Sequence, residues 1–162
     1  MLKLLMIKIY TDGSYKPTTG QGGYASVITE NNVIVKILHQ GYTHTTNNRA
    51  ELMGVLYSLE YFKEPKELEI YSDSSYIVNS INNGHVEKWI SEQDGSKKNM
   101  DLWCRINKLL HFHNVKFFWI KGHNNNKFNE LADCYANISA TVINPKEDVK
   151  LKTKETWKPL VP

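Results

Sequence analysis

Four acidic residues, each inside its own short polar motif, constrain this chain more than any other feature. They are Asp12 in Tyr10-Thr11-Asp12-Gly13-Ser14, Glu51 in Thr45-Thr46-Asn47-Asn48-Arg49-Ala50-Glu51-Leu52, Asp73 in Tyr71-Ser72-Asp73-Ser74, and Asp133 in Asn129-Glu130-Leu131-Ala132-Asp133. Asp12 and Asp73 follow apolar, strand-like runs. Glu51 and Asp133 sit early in helix-like runs. A chain with this pattern gathers carboxylates at one end of a sheet. Gathered carboxylates repel one another unless a cation neutralises them. Hard oxygen ligands with open positions suit Mg²⁺ or Mn²⁺. The chain therefore reads as a metal-dependent phosphoryl-transfer enzyme.

Hydrophobic periodicity supplies the elements around these acids. Residues 4–11 read as a strand. Residues 22–29 and 33–40 read as two more, joined by the turn-rich Glu30-Asn31-Asn32. Short turns imply antiparallel neighbours. Leu52, Val55, Leu56, Leu59 and Phe62 recur at helical spacing, so residues 48–62 form an amphipathic helix that Pro65 ends. Leu68-Glu69-Ile70-Tyr71 is a short strand, and its place between two helices implies a parallel crossover. Ser74 or Ser75 caps the next helix, which stops at Asn82-Asn83-Gly84. Residues 85–96 form a variable stretch, and residues 98–111 are helical. Residues 115–120 are apolar but for Lys116, as in a buried strand. Residues 122–126 form a loop, and Leu131, Tyr135, Ile138 and Val142 mark the last helix. The fold class is α/β: a mixed five-stranded sheet, three antiparallel strands followed by two parallel ones, flanked by helices.

With 162 residues, 41% of them hydrophobic and 23% charged, the chain fits one globular domain with a sizeable core. The domain is placed at residues 1–143. A basic, flexible tail follows over residues 144–162, which hold 5 basic and 3 acidic residues together with Pro145, Pro159 and Pro162. No apolar run is long enough for a membrane helix. The first residues lack a cleavage site and are interrupted by Lys8, so they read as a strand leading to Asp12 rather than a secretion signal. Either Met1 or Met6 serves as the start. Cys104 and Cys134 lack paired spacing, are expected to be buried thiols, and fit a reducing, cytoplasmic location. A net charge of +3 is too small by itself to announce a nucleic-acid binder.

Phosphodiester hydrolysis needs an activated water, a neutralised phosphate and a stabilised leaving oxygen. Two metals about 3.5–4 Å apart supply all three. Asp12 leaves its strand directly into such a site and suits the bridging position. Glu51 stands one turn into its helix. Asp73 lies just past the carboxyl end of a parallel strand, where ligands collect in open α/β sheets. Asp133 is the fourth acid. Each alone has a plainer reading: a turn at Asp12-Gly13, helix-dipole chemistry at Glu51, an N-cap at Asp73, a solvated helix position at Asp133. Their joint order favours a site. His123 lies in Gly122-His123-Asn124-Asn125-Asn126, and imidazoles exchange protons near neutral pH. Glu130 suits either a transient aid to the metal site or a structural helix-start acid. Asn47 and Asn48 offer amides that read minor-groove base edges and ribose hydroxyls, and Ser14 beside Asp12 offers the same.

In order and spacing, Asp12-Gly13-Ser14, Thr46-Asn47-Asn48-Arg49-Ala50-Glu51, Asp73-Ser74, Lys121-Gly122-His123 and Asn129-Glu130-(two residues)-Asp133 resemble type 1 ribonuclease H. The resemblance covers residues 6–140 and implies the ribonuclease H-like fold. It implies an endonuclease that cuts the RNA strand of RNA–DNA hybrids with two Mg²⁺ ions, Mn²⁺ substituting, to leave 3′-hydroxyl and 5′-phosphate ends. It implies that Asp12, Glu51, Asp73 and Asp133 are metal ligands and catalytic, and that His123 aids proton transfer or product departure. It further implies a phosphate pocket at Thr46 and Asn99 and an aromatic platform for the DNA strand at Trp89. The expected partner is an RNA–DNA hybrid, with no membrane, and the expected state is a monomer. Two departures stand out. The long basic protrusion of many relatives is here the short, mixed-charge stretch 90–100, so the grip on a hybrid is expected to be weaker, with the basic tail supplying part of it. Ser75 stands where relatives often carry a longer amide. Two rival readings are a non-catalytic hybrid-binding module, against which the intact acid set argues, and a nuclease domain of a reverse transcriptase or viral polyprotein.

Overall fold

The computed structural model describes residues 4–93, 95–141 and 145–148. Along the chain run β1 (Ile7–Tyr15), β2 (Gly22–Glu30), β3 (Val33–Tyr42), α1 (Asn47–Tyr61), β4 (Glu67–Ser72), α2 (Ser75–Asn82), α3 (His85–Ser91), α4 (Met100–Phe112), β5 (Asn114–Trp119) and α5 (Lys127–Ser139). The strands make one sheet in the order β3-β2-β1-β4-β5. β1–β2 and β2–β3 pair antiparallel, and β1–β4 and β4–β5 pair parallel. This is the mixed five-stranded α/β sheet that the sequence implies.

β1 is the central strand and has a neighbour of each kind. Its parallel ladder with β4 ends where Thr11 faces Ser72. Its antiparallel ladder with β2 continues until Tyr15 faces Gly22. The strand therefore does not stop at residue 11 as expected; β2 carries it onward, and Asp12-Gly13 is strand rather than turn. Beyond Thr11 one side of β1 has no strand beside it, and that gap is where the acids assemble.

One face of the sheet is covered by α1, which lies between β1–β2 and α4. Leu52, Val55, Leu56 and Leu59 are fully buried there, together with Ile9, Ile28, Ile70, Trp103 and Ile106. α1 is enclosed on almost every side, so even Arg49 and Glu51 are buried. A helix in that position needs unusually close contact with the sheet. At Gly13 a Cβ atom would stand 2.6 Å from the Glu51 backbone nitrogen and 2.9 Å from the Ala50 carbonyl carbon. Only glycine lets the two backbones meet at that distance.

The other face is covered by α5, which crosses β1, β2 and β3. Its buried residues are Phe128, Asn129, Ala132, Ala136 and Ser139. The expected apolar face was different: Leu131 and Tyr135 are only half-buried, Ile138 is 52% exposed, and Val142 lies outside the described residues. Small residues face the sheet because they allow a closer approach than the large ones would. Three other expectations shift as well. The stretch 85–96 contains α3, which inserts Val86 into the core. The apolar run of β5 is not buried throughout: it is a sheet edge on which Phe117 is buried while Phe118 and Trp119 are exposed. Cys134 is exposed and Cys104 half-buried, so neither is a fully buried thiol.

The folded unit also extends past residue 143. Lys146 forms a parallel bridge with Tyr42, its N–H donates to the Gly41 carbonyl at 2.9 Å, and its carbonyl accepts from the Thr43 N–H at 2.9 Å. Asp148 is buried. The rest of the expected basic tail, residues 149–162, lies outside the described residues. Among the described residues no helix is long and apolar enough to cross a membrane.

Gly13→Ala is expected to lower stability by about 1–3 kcal/mol, the usual cost of forcing a methyl group into a closed contact. Urea unfolding measures it, and an unchanged midpoint would mean that α1 does not rest on β1 at this point.

Candidate active site

The gap beside β1 assembles the site from three separate elements. Asp12 is the first residue of β1 beyond its ladder with β4, and Asp73 is the first residue after β4. Glu51 arrives from above on α1. The Thr46 hydroxyl oxygen accepts the Arg49 backbone N–H at 3.2 Å, which fixes the first turn of α1 and so the placement of Glu51 in the next. One carboxylate oxygen from each of Asp12, Glu51 and Asp73 lies within 4.8 Å of the others. Asp133, from α5, comes within hydrogen-bonding reach of Asp12. The corner after β4 is held on several sides. The Ser74 N–H donates to the Ser72 hydroxyl at 3.0 Å, the Ser74 hydroxyl caps α2, and the Trp119 indole N–H donates to the Asp73 carbonyl at 3.1 Å.

His123 is exposed on the loop opposite, with a left-handed backbone at φ 55°. Its positive form acts on Asp73. The preceding Gly122 makes room for this arrangement, since a Cβ there would stand 2.9 Å from an Asp73 carboxylate oxygen.

Burial and crowding push these acids toward their neutral forms. Asp12 is pushed up to about 8, first by burial and then by Asp73 and Asp133, with the Gly13 N–H pulling the other way. Burial, then the charges of Asp12 and Asp73, hold Glu51 well above the usual carboxylate range. Burial and Asp133 raise Asp73, against the opposing pull of His123. One Glu51 carboxylate oxygen is buried without any hydrogen-bond partner. A buried oxygen without a partner among acids that repel one another is relieved by a hard divalent cation. The donor set therefore fits Mg²⁺ or Mn²⁺, with Asp12, Glu51 and Asp73 at its centre and Asp133 at its edge.

The other residues singled out in the sequence fall into two groups. Thr46, Asn47 and Asn48 are exposed at the start of α1. Asn99 and Trp89 are linked through the side chains between them: the Asn99 amide donates to the Tyr76 hydroxyl at 3.5 Å, the Trp103 indole donates to the same hydroxyl at 3.0 Å, and Trp103 packs on Trp89 with ring centres 6.3 Å apart. Lys97 lies over the Trp89 ring at 5.7 Å. The Ser14 hydroxyl donates to Asn137 at 2.7 Å, a partner that the sequence does not reveal. Arg49 is a further buried polar residue here, and the sequence carries a signal for it. It occupies a core-facing position on the stripe Arg49, Leu52, Leu56, Leu59, and a charge in that register implies a buried counter-charge.

The ribonuclease H family model matches residues 6–141. The chain belongs to the ribonuclease H family. It is 42% identical over 136 residues to a ribonuclease H of Chlorobium phaeobacteroides, covering 80% of this chain and 92% of that one. It is 39% identical over 147 residues to a ribonuclease H of Campylobacter jejuni, covering 89% of this chain and 97% of the other. Among solved structures it resembles LC9-RNase H1, described as a type 1 RNase H with the type 2 active-site motif, at a TM-score of 0.74 and 23% identity, over 86% of this chain and 74% of that one. The fold is thus that of ribonuclease H, and membership of the family makes the chain a nuclease.

The raised Asp12 sets the sign of a pH effect in the metal-free ribonuclease. Asp12 holds its proton more tightly folded than unfolded, so its contribution to stability is full below the unfolded value of about 3.9 and is lost as pH rises through about 8. With chelator present, Asp12→Asn is expected to raise the Tm relative to the natural chain at about pH 8, and the difference should shrink toward about pH 5. A difference that stays constant across this window would remove the repulsion from the account.

Proposed function

We propose that this ribonuclease H cleaves the RNA strand of RNA–DNA hybrids internally, with two divalent metal ions, Mg²⁺ by preference, leaving 3′-hydroxyl and 5′-phosphate ends. The observation that carries the reading is the Asp12–Glu51–Asp73 cluster, with Asp12 and Glu51 buried, Asp73 half-buried and one Glu51 oxygen unpartnered, in the gap of a ribonuclease H sheet. Asp12, Glu51, Asp73 and Asp133 hold the ions. Bound there, the metal pair supplies an activated water and charge stabilisation for the phosphate and the departing 3′ oxygen. Asp12, Glu51 and Asp73 are mounted on β1, α1 and the end of β4, and Asp133 on α5, so binding a cation requires little rearrangement of the backbone that carries them.

The remaining roles fall to groups around this cluster. His123, exposed across from Asp73, gives or takes a proton at an imidazole nitrogen as product leaves. Asn47, Asn48 and Ser14 face ribose and base edges in the minor groove. Thr46 and Asn99 bind a backbone phosphate, and Trp89 supports the DNA strand. By sequence the stretch 90–100 carries only Lys97 and Lys98 as bases, offset by the acids Glu92 and Asp94, so it contributes at most about two to the slope of log affinity against log salt. The enzyme acts as a monomer in the cytoplasm.

Labelled RNA–DNA hybrid, double-stranded RNA and double-stranded DNA, each with Mg²⁺ or with EDTA, test the reading. Cutting should be confined to RNA in the hybrid and should vanish with EDTA. Asp12→Asn should remove nearly all turnover while hybrid binding survives. Equal cutting of double-stranded RNA, or turnover that survives chelation, would defeat the proposal. His123→Ala is expected to be milder, at or below about 10²-fold, and to appear in kcat rather than KM. A loss confined to KM would make His123 a binding residue instead.

A further inference from the structure

Every N–H of the Arg49 guanidinium is used. Nε donates to Asp148 Oδ2 at 2.7 Å, and Nη2 donates to Asp148 Oδ1 at 3.0 Å and Asp101 Oδ2 at 2.7 Å. Nη1 donates to Asp101 Oδ1 at 2.9 Å and reaches Asn99 Oδ1 at 3.4 Å. Asp148 also accepts from the Thr45 hydroxyl at 3.1 Å. Five donors in a rigid plane meet acceptors on two carboxylates and one amide. Only arginine has that geometry, since lysine offers a single point charge with three donors. The side chains of Arg49 and Asp148 are each 6% exposed, so neither charge finds water as a substitute partner.

The cluster joins three stretches that are far apart in sequence. Arg49 belongs to the first turn of α1, beside Asn47 and Asn48. Asp101 and Asn99 belong to the start of α4. Asp148 belongs to the segment that Lys146 ties to Gly41 and Thr43. Asn99 behaves unusually within this group. It stands at the N-cap of α4 with a left-handed backbone at φ 66°, where an asparagine ordinarily caps its own helix, yet it makes no side-chain cap bond. Its Oδ1 turns toward Arg49 instead, and its Nδ2 turns toward Tyr76. A cation that holds the oxygen of an amide decides which way the NH₂ faces.

We propose that Arg49 is a positioning residue for substrate: anchored by Asp101 and Asp148, it orients the Asn99 amide so that the N–H not given to Tyr76 is presented to a backbone phosphate of the hybrid. The inference rests on the reading of Asn99 given under the proposed function. It makes the segment ending at Asp148 a working part of the substrate surface.

The test uses the full chain and steady-state cleavage of an RNA–DNA hybrid in Mg²⁺, with Tm measured for every variant. Arg49→Lys keeps the charge and loses the fork. It is expected to raise KM about tenfold, the worth of one bond to a charged group, with kcat changed by less than about threefold. Asn99→Ala should raise KM to a similar extent. The double variant should be no worse than Asn99→Ala alone, because Arg49 acts through that amide. Asp148→Asn preserves shape, so it reports on the same path if Arg49→Lys does not fold, and it should raise KM by a smaller factor. KM effects that multiply in the double variant, a loss in kcat alone, or a lower Tm with unchanged KM would each overturn the inference while leaving hybrid cleavage standing. A natural chain that does not cut the hybrid would instead overturn the functional reading, and this inference with it.

Discussion

Three carboxylates that repel one another are held together at the centre of this molecule, and the surrounding framework is what keeps them there. Among the described residues, the one positive side chain that acts on these acids is His123, from an exposed loop. The restraint comes from backbone: β1 carried past its parallel partner by β2, α1 resting against Gly13, and the corner after β4 pinned by Ser72, Ser74 and Trp119. The raised proton affinities of Asp12, Glu51 and Asp73 express the same tension. A fold that supports such a site must be stable for other reasons, and the enclosed α1 with its apolar layer of Leu52, Val55, Leu56 and Leu59 supplies them.

The same helix carries the opposite solution to buried charge. Arg49, close along α1 from Glu51, has all its donors matched. For Asp101, burial alone would raise the proton affinity, but the hydrogen bond and charge of Arg49 outweigh it and hold the carboxyl below its ordinary range. Arg49 itself is pushed up; burial opposes this, and Asp101 and Asp148 prevail. Glu51 has an oxygen with no partner at all. The same helix therefore holds a satisfied charge that locks structure and, two residues on, a carboxylate with an oxygen left unpartnered. A fully paired buried network fixes geometry, whereas a partly paired one stores a demand for a ligand.

Much of this was legible in the sequence because the signals are local. The acids announced themselves through short motifs. The hairpin turn at Asn31-Asn32 and the helical spacing of α1 gave the order of elements, and strands interleaved with helices gave the mixed sheet. What escaped depended on partners distant in sequence. β1 ends at Tyr15 because β2 extends it, and nothing in residues 12–15 says so. β5 looks like a buried strand until the strand order puts it at an edge. The buried face of α5 is not the one its large apolar residues mark, because closeness of approach, rather than hydrophobicity, selects Ala132, Ala136 and Ser139. Arg49 finds its partners 50, 52 and 99 residues along the chain, and composition near the C-terminal end suggested only a basic tail.

That last separation also bears on time. A polypeptide emerges from the ribosome in order, and contacts between remote residues close only when the later one exists. Until Asp148 has been synthesised, the guanidinium of Arg49 lacks two of its acceptors, in a pocket where an unmatched charge is costly. α1 can pack its apolar side earlier, but its first turn settles only at the end. The nascent protein thus closes the apolar layer around α1 before the ion pairs at the start of that helix. An incompletely made chain would hold the acids beside an Arg49 that is only partly matched.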